Sequence, residues 1–265
     1  MKNVLFTIIS AGLLLGCSSE HESLVQKADR EASRQNAQLA KYLYLQVIEQ
    51  RKERDHIRYS ALKGLAEVCL NQLFDYPTAA KSLETIFEEY SGVARYQTEI
   101  TKLRLEASKM YRINLERPQK SQNVLSPFIE GRGFSVEIGK ELGLVFVALS
   151  DYSQARHWFG QSWEKAKVRN SCSDMRELQL NIIQVYSLQD LCDEALRWTG
   201  EALPSGCEAD TFAILIEKAH CFEISGEVNK AMSLFEEVIE KDPKNERAHF
   251  FLEGLKRRQK EKASK

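Results

Sequence analysis

The sequence predicts an all-α protein, a solenoid of about six helical hairpins closed by one further helix. Three observations predict it. Apolar residues recur at helical spacing along nearly the whole chain, and no segment sustains the period-two alternation of a half-buried strand. In three copies an alanine on the second helix follows the crossing residue of the first by 12 positions. Prolines and glycines are few, 5 and 13 in 265 residues, which leaves little material for long low-complexity linkers. The composition, 43% apolar and 28% charged, suits a folded protein. A formal net charge of -1 gives no electrostatic basis for binding nucleic acid.

The first segment stands apart from this pattern. Lys2 supplies a basic start, and VLFTIISAGLLLG (4–16) runs without a charge. That run is shorter than the roughly 20 residues of a membrane-spanning helix, and a basic start followed by a short apolar core describes an export signal. Its end, Leu14-Leu15-Gly16-Cys17, resembles the bacterial lipobox. The resemblance implies cleavage before Cys17 and covalent lipid on that cysteine. Several acyl chains anchor stably where one binds only reversibly. It divides the chain into a signal peptide (1–16), a lipidated tether (17–23) and a repeat domain (24–265). Ser18 and Ser19 follow the cysteine, and in the enterobacterial sorting rule serine there implies the outer membrane, facing the periplasm. No cofactor is expected beyond the lipid.

The hairpins follow in order. Leu24 and Ala28 mark a first helix whose partner holds Ala40, Tyr44 and Val47. In KGLAEVCLNQLFDYPTAAKSLETIFEEY (63–90), Ala66 and Cys69 pair with Ala79, Leu83 and Ile86, with one residue inserted. The third copy has a clear first helix from Leu103 to Tyr111. Its second holds Pro118, acceptable in a first turn, and Pro127, which breaks regularity ahead of GRGF (131–134). An irregular or shortened helix is expected there, either a hinge between halves or a degenerate repeat. The fourth copy reads Leu142-Gly143 and Phe146, then Tyr152, Ala155 and Phe159. The fifth reads Ile183 and Tyr186, then Ala195, Thr199 and Ala202. The sixth reads Ala219, Phe222 and Gly226, then Ala231, Phe235, Val238 and Pro243. In these last three copies the crossing residues lie 12 positions apart. Small residues at a crossing let two helix backbones approach, and large ones one turn away fill the flanking volume. Residues 245–262, with Phe250, Phe251 and Leu255 on one side, read as the helix that covers the open end of a stack.

These spacings resemble the tetratricopeptide repeat (TPR), a helix-turn-helix unit of roughly 34 residues, and EISGEVNKAMSLFEEVIEKDP (223–243) is the most family-like stretch. The resemblance covers nearly all of the chain after the tether. It implies a right-handed superhelix whose inner groove, lined by first helices, binds peptides or partner helices. With the small residue as anchor, the position three before it gives Lys63, Arg104, Lys140, Leu180 and Ile216 as candidate groove residues. They fit a ligand with an acidic stretch followed by an apolar one, or else long cations that solvate the concave face. The carboxylate clamp of chaperone-binding members is absent, because Glu67 follows Lys63 and Leu144 follows Lys140 where that clamp needs asparagine. Lipoproteins of this architecture include the helical-repeat subunit of the outer-membrane β-barrel assembly machine, pilus-assembly pilot proteins and adaptors of peptidoglycan hydrolases. The implied partners are envelope proteins or peptides, with the membrane reached through the lipid. A stable scaffold and a transient adaptor are both consistent with the sequence.

Catalytic motifs are not found. His21, His56, His157, His220 and His249 show no HExxH spacing, and neither a G-x-S-x-G elbow nor a phosphate-cradling glycine loop occurs. Cys69 and Cys221 fall inside first helices, where cysteine acts as a small apolar residue. Cys172 and Cys207 fall near the starts of adjacent first helices. Helix axes there are roughly 10 Å apart and a disulfide needs Cα atoms within about 7 Å, so a bridge is compatible with that placement without being required by it. Cys192 lies in the opposite turn, a poor partner for either. The tail KRRQKEKASK (256–265) is basic, either the solvated end of the closing helix or a contact for an anionic surface. Trp158 and Trp198, each three residues after a crossing alanine, are expected near one another, in core packing or as an aromatic partner site.

Overall fold

The computed structural model describes residues 20–131, 133–201, 203, 207 and 211–263. Among them are thirteen α-helices and no strand: α1 (20–33), α2 (Ala37–Gln50), α3 (His56–Asn71), α4 (Tyr76–Tyr90), α5 (Gln97–Lys109), α6 (Pro118–Ile129), α7 (Val136–Ala148), α8 (Tyr152–Val168), α9 (Cys172–Ser187), α10 (Cys192–Thr199), α11 (Thr211–Ile224), α12 (Val228–Lys241) and α13 (Glu246–Ala263). They pair as six antiparallel hairpins, α1/α2 to α11/α12, with α13 packed on α12. The signal segment and Cys17 lie outside the described residues. The chain forms two compact units that meet between Val124 and Leu125, inside α6.

Every hairpin turns the same way. The residue two before each second helix has left-handed φ: Gln35, Phe74, Glu116, Ser150, Asp190 and Gly226, at φ 63, 54, 52, 59, 56 and 78. Only the last is glycine, the residue that takes this conformation without steric cost. The other five are strained by roughly 1–2 kcal/mol each, and the hydrogen bond that follows holds them. The next amide N–H donates back to a carbonyl of the first helix: Asn36 to Glu31, Asp75 to Cys69, Arg117 to Tyr111, Asp151 to Phe146, Leu191 to Tyr186 and Glu227 to Phe222. This closes the helix C-terminus as a left-handed cap does. The Asp75 and Asp151 side chains then accept from Thr78 N and Gln154 N and cap the second helix.

The bond spans five residues in four hairpins and six in the second and third. The second is the copy in which the sequence shows an insertion. In the third, the extra residue is absorbed by a π-helical turn, Met110–Asn114, at the end of α5, the form a single insertion takes inside a helix. The irregularity expected of the third copy therefore lies in its first helix. Pro118 opens α6, as its missing N–H allows, and α6 continues through Pro127 to Ile129.

The crossing residues are buried throughout: Ala28 and Ala40, Ala66 and Ala79, Ser108 and Ser121, Gly143 and Ala155, Ile183 and Ala195, Ala219 and Ala231. Ser108 and Ser121 lie 13 positions apart, with Oγ atoms 2.6 Å from one another, and Ser121 Oγ also donates to Ser108 O. The third crossing is thus polar and fully hydrogen-bonded, which is what makes it tolerable in a core.

Unit 1 buries Leu43, Tyr44, Val47, Leu62, Leu65, Leu83, Ile86 and Leu103 in one cluster. Arg58 threads it: Nη1 donates to Ile48 O and Arg51 O beyond α2, and Nε and Nη2 reach Glu89 on α4. In unit 2, Leu142, Phe146, Trp158, Phe159, Trp163, Leu178 and Ile182 share a core. A second cluster, around Ala219, Phe235, Val238 and Leu252, joins α11, α12 and α13. Trp158 and Trp198 do not meet: Trp158 packs edge-on against Phe134 at 5.1 Å, and Trp198 against Trp163 at 5.3 Å. Trp158 is buried and Trp198 half-buried, which places both in core packing.

Candidate interaction surfaces

The first helices leave cavities within each unit. In unit 1, α1, α2, α3 and α5 line one of about 420 Å³ with Asp29, Tyr44, Gly64, Glu67, Asn71 and Glu106. Its character is acidic. Tyr44 donates its hydroxyl to Asp29, and burial, together with Glu67 nearby, pushes the Glu106 carboxyl up. In unit 2, α9, α11 and α13 line two openings. One, of about 410 Å³, holds His220, Glu223, Phe250, Phe251, Arg257 and Arg258. The other, of about 200 Å³, holds Gln184, Leu188, Glu217, His220, Arg247 and Phe251. Glu217 is buried there and accepts from Gln184 Nε2 at 3.1 Å and Arg247 Nη2 at 2.7 Å. Phe250 is 74% exposed.

The structure places the five candidate groove residues differently from the sequence expectation. Lys63 pairs with Glu99 at 2.5 Å and Glu67 at 3.6 Å, and the hydrogen bond to Glu99 holds its ammonium above the usual range. Arg104 donates to Val124 O and Ser91 Oγ and lies 4.5 Å over the Phe87 ring. Its burial lowers its pKa, and it serves the packing of α4, α5 and α6. Lys140 joins α7 to α9 through Asp174 at 2.9 Å and Glu177 at 2.6 Å. Leu180 is half-buried, and Ile216 is in the core at 3% exposure. Lys63 and Lys140 are paired with carboxylates, Arg104 is hydrogen-bonded to neutral groups within the packing, and Ile216 presents no surface. The physical reason is register. The residue one after the anchor is one turn along the same stripe, and it is this position, Asp29, Glu67, Gln184 and His220, that lines the cavities. In the third hairpin the anchor is Ser108 and not Ala107, so Arg104 is rotated about 100° away from that stripe. Counting forward from the anchor instead of back would have found the lining residues.

Lys140 gives a testable consequence. Burial pushes the Asp174 carboxyl up, but hydrogen bonds from Ser171 and Lys140 outweigh it and leave the group below the usual carboxylate range. Lys140, despite its own burial, is raised by Glu177 and Asp174. A depressed acid contributes stability above its unfolded value of about 3.9, lost as pH falls through the folded value. A raised lysine contributes below about 10.4, lost as pH rises through its folded value. Lys140→Met should therefore cost about 1–2 kcal/mol between about pH 5 and 10. It should also flatten the acid limb of the stability curve, both read by urea unfolding across pH.

Among the described residues no helix is long and apolar enough to cross a membrane, and no three His, Cys, Asp or Glu side chains converge as metal ligands would. The remaining covalent feature is a disulfide, Cys172–Cys207, with Cα atoms 5.2 Å apart. It fastens the start of α9 to the segment before α11. The pairing that the spacing left open is present in the structure.

An all-α array of hairpins with a fixed crossing pattern and a uniform left-handed turn defines a helical-repeat protein. Comparison with solved structures specifies which one: the chain has the tetratricopeptide-repeat fold. PilF of Pseudomonas aeruginosa aligns over 89% of this chain and 98% of its own at 14% identity, with TM-score 0.54. The type IV pilus biogenesis factor PilW aligns over 88% and 98% at 12% identity, TM-score 0.57. YrrB, a TPR protein with an unusual peptide-binding site, aligns over 78% and 96% at 15% identity, TM-score 0.55. No family model and no curated protein matches the sequence.

Proposed function

We propose that this protein is a membrane-tethered interaction scaffold of the bacterial envelope, held by lipid on Cys17 and facing the periplasm. The observation that carries the binding role is the face of α9, α11 and α13. An aromatic side chain 74% exposed, Phe250, stands beside Phe251 at the mouth of a cavity flanked by Arg257 and Arg258. Aromatic side chains and arginines are enriched among the anchors of protein partners, and here two aromatic rings sit among charged side chains of both signs. The tether rests on Leu14-Leu15-Gly16-Cys17. The Cys172–Cys207 disulfide supports an oxidising compartment, where such bonds persist. The fold is shared with PilW, a type IV pilus biogenesis factor, and with YrrB, a TPR protein with an unusual peptide-binding site, and this likeness supports a binding role.

The test has two arms. Pull-down from gently solubilised membranes should recover a defined partner set, and Phe250→Glu should lose it while the thermal transition stays in place. Retention of partners by that variant places the binding face elsewhere. Cys17→Ala should stall processing or release the protein from the membrane fraction; normal processing and membrane retention would overturn the anchor.

A further inference from the structure

The shortest helix of unit 2 is α10. It has eight residues and buries two of them, Cys192 and Ala195. The corresponding helix of the preceding hairpin, α8, has seventeen and buries six. Beside Cys192 and Ala195, Leu196 and Trp198 pack half-buried on the neighbouring helices. One of the two side chains that α10 buries is a thiol, and a second thiol shares its cluster. Cys192 opens α10, and Cys221 lies on α11. Both belong to one apolar cluster with Ile183, Ala195 and Ile214, where α10 packs on α11. Cys221 is fully buried, with Sγ 3.3 Å from Ser187 Oγ on α9. Cys69, buried in unit 1, is left apart from both.

We propose that Cys192 and Cys221 are a redox pair that oxidises to a second disulfide, tying α10 to α11. Its order along the chain interlaces with the first bond: Cys172, Cys192, Cys207, Cys221, with alternate members joined. The two bonds together would fasten the start of α9 to the segment before α11, and α10 to α11 itself. The shortest helix of unit 2 would then be covalently held.

The oxidant is a small or protein-borne disulfide. The Cys192 thiol loses its proton, and its sulfur attacks the oxidant's S–S bond; one thiolate leaves and a mixed disulfide forms. The deprotonated Cys221 sulfur then attacks Cys192 sulfur, and the second thiolate leaves. Two electrons pass to the oxidant, which ends as two thiols once the two protons are returned to it. Cys192 is the entry point because it sits in the first turn of a short helix and retains 6% exposure, against 0% for Cys221. Burial, with Cys221 alongside, pushes the Cys192 thiol up to about 12, so the closed fold is slow to react. Oxidation belongs to folding or to moments when the first turn of α10 opens.

The experiment needs only the full chain in a buffer of reduced and oxidised glutathione. The folded protein is unfolded in denaturant with an alkylating agent, digested without reduction and mapped by mass spectrometry. Expected are a linked Cys192–Cys221 peptide pair, a linked Cys172–Cys207 pair and an alkylated Cys69. Alkylation of both Cys192 and Cys221 beside an intact Cys172–Cys207 bond overturns the proposal, as does linkage of either to Cys172 or Cys207. Cys192→Ser should leave Cys221 alkylated and the first bond unchanged; should that variant fail to fold, the wild-type map decides alone.

Discussion

Gly143→Ala is expected to destabilise unit 2, and the same substitution is expected to stabilise it once Phe159 is gone. A Cβ on Gly143 would lie 2.3 Å from Phe159 Cε1 and 2.4 Å from Cδ1, and the three nearest atoms all belong to that ring. Phe159 is fully buried, so the ring has nowhere to go. Overpacking of this kind costs about 1–3 kcal/mol, against a gain of about 1 kcal/mol from replacing glycine inside a helix. Phe159→Ala alone should cost about 3–5 kcal/mol through lost burial and the cavity left behind. In that background the clash is absent and only the helical gain remains, so Gly143→Ala should recover about 0.5–1 kcal/mol. All three tryptophans, Trp158, Trp163 and Trp198, lie in unit 2. Their fluorescence in a urea titration therefore reads this unit, with the midpoint shift as the measure. Additive costs for the two substitutions would mean that glycine and ring do not set the helix spacing.

The same reasoning shows what was legible in the sequence. Apart from Ile183, the crossing residues are small because a larger one separates two backbones, and that requirement leaves a mark in most copies. Hence the fold class, the order of hairpins and the closing helix could be read directly. The third hairpin hid its crossing because serine served for alanine: Ser108 and Ser121 are small but polar, and only their mutual hydrogen bond makes them a core pair. Its 13-residue spacing then shifted the anchor by one, which carried Arg104 from the interior onto a predicted surface. The five non-glycine left-handed turns were invisible for a related reason. Gln35, Phe74, Glu116, Ser150 and Asp190 share no residue type; the backbone bond after them imposes the conformation, and nothing in their side chains announces it. A periodic stripe fixes a face but not the position along it, and the cavity-lining Glu67, Gln184 and His220 lie one turn along it from Lys63, Leu180 and Ile216. Ion pairs such as Lys140 with Asp174 join residues 34 apart in sequence, and no local spacing predicts them.

Removing the Cys172–Cys207 bond should cost about as much as removing the Phe159 ring. The bond closes a loop of 35 residues. Loop-closure entropy in the unfolded chain makes such a constraint worth about 4 kcal/mol. The loss should fall on unit 2, since both cysteines belong to it. The double variant Cys172→Ser, Cys207→Ser is the measurement of choice, because it leaves Cys192 and Cys221 in place. Its tryptophan transition should move to lower urea by that amount, while tyrosine signals from Tyr44, Tyr59 and Tyr90 of unit 1 keep their midpoint. A shift below about 1 kcal/mol would mean that the segment before α11 is held by other contacts. Reduction of the wild-type protein supplies the complementary reading. If Cys172–Cys207 is the one disulfide present, dithiothreitol and the double variant must give the same midpoint. A larger shift on reduction than on mutation is the signature of a second bond, and Cys192 with Cys221 is where it would be.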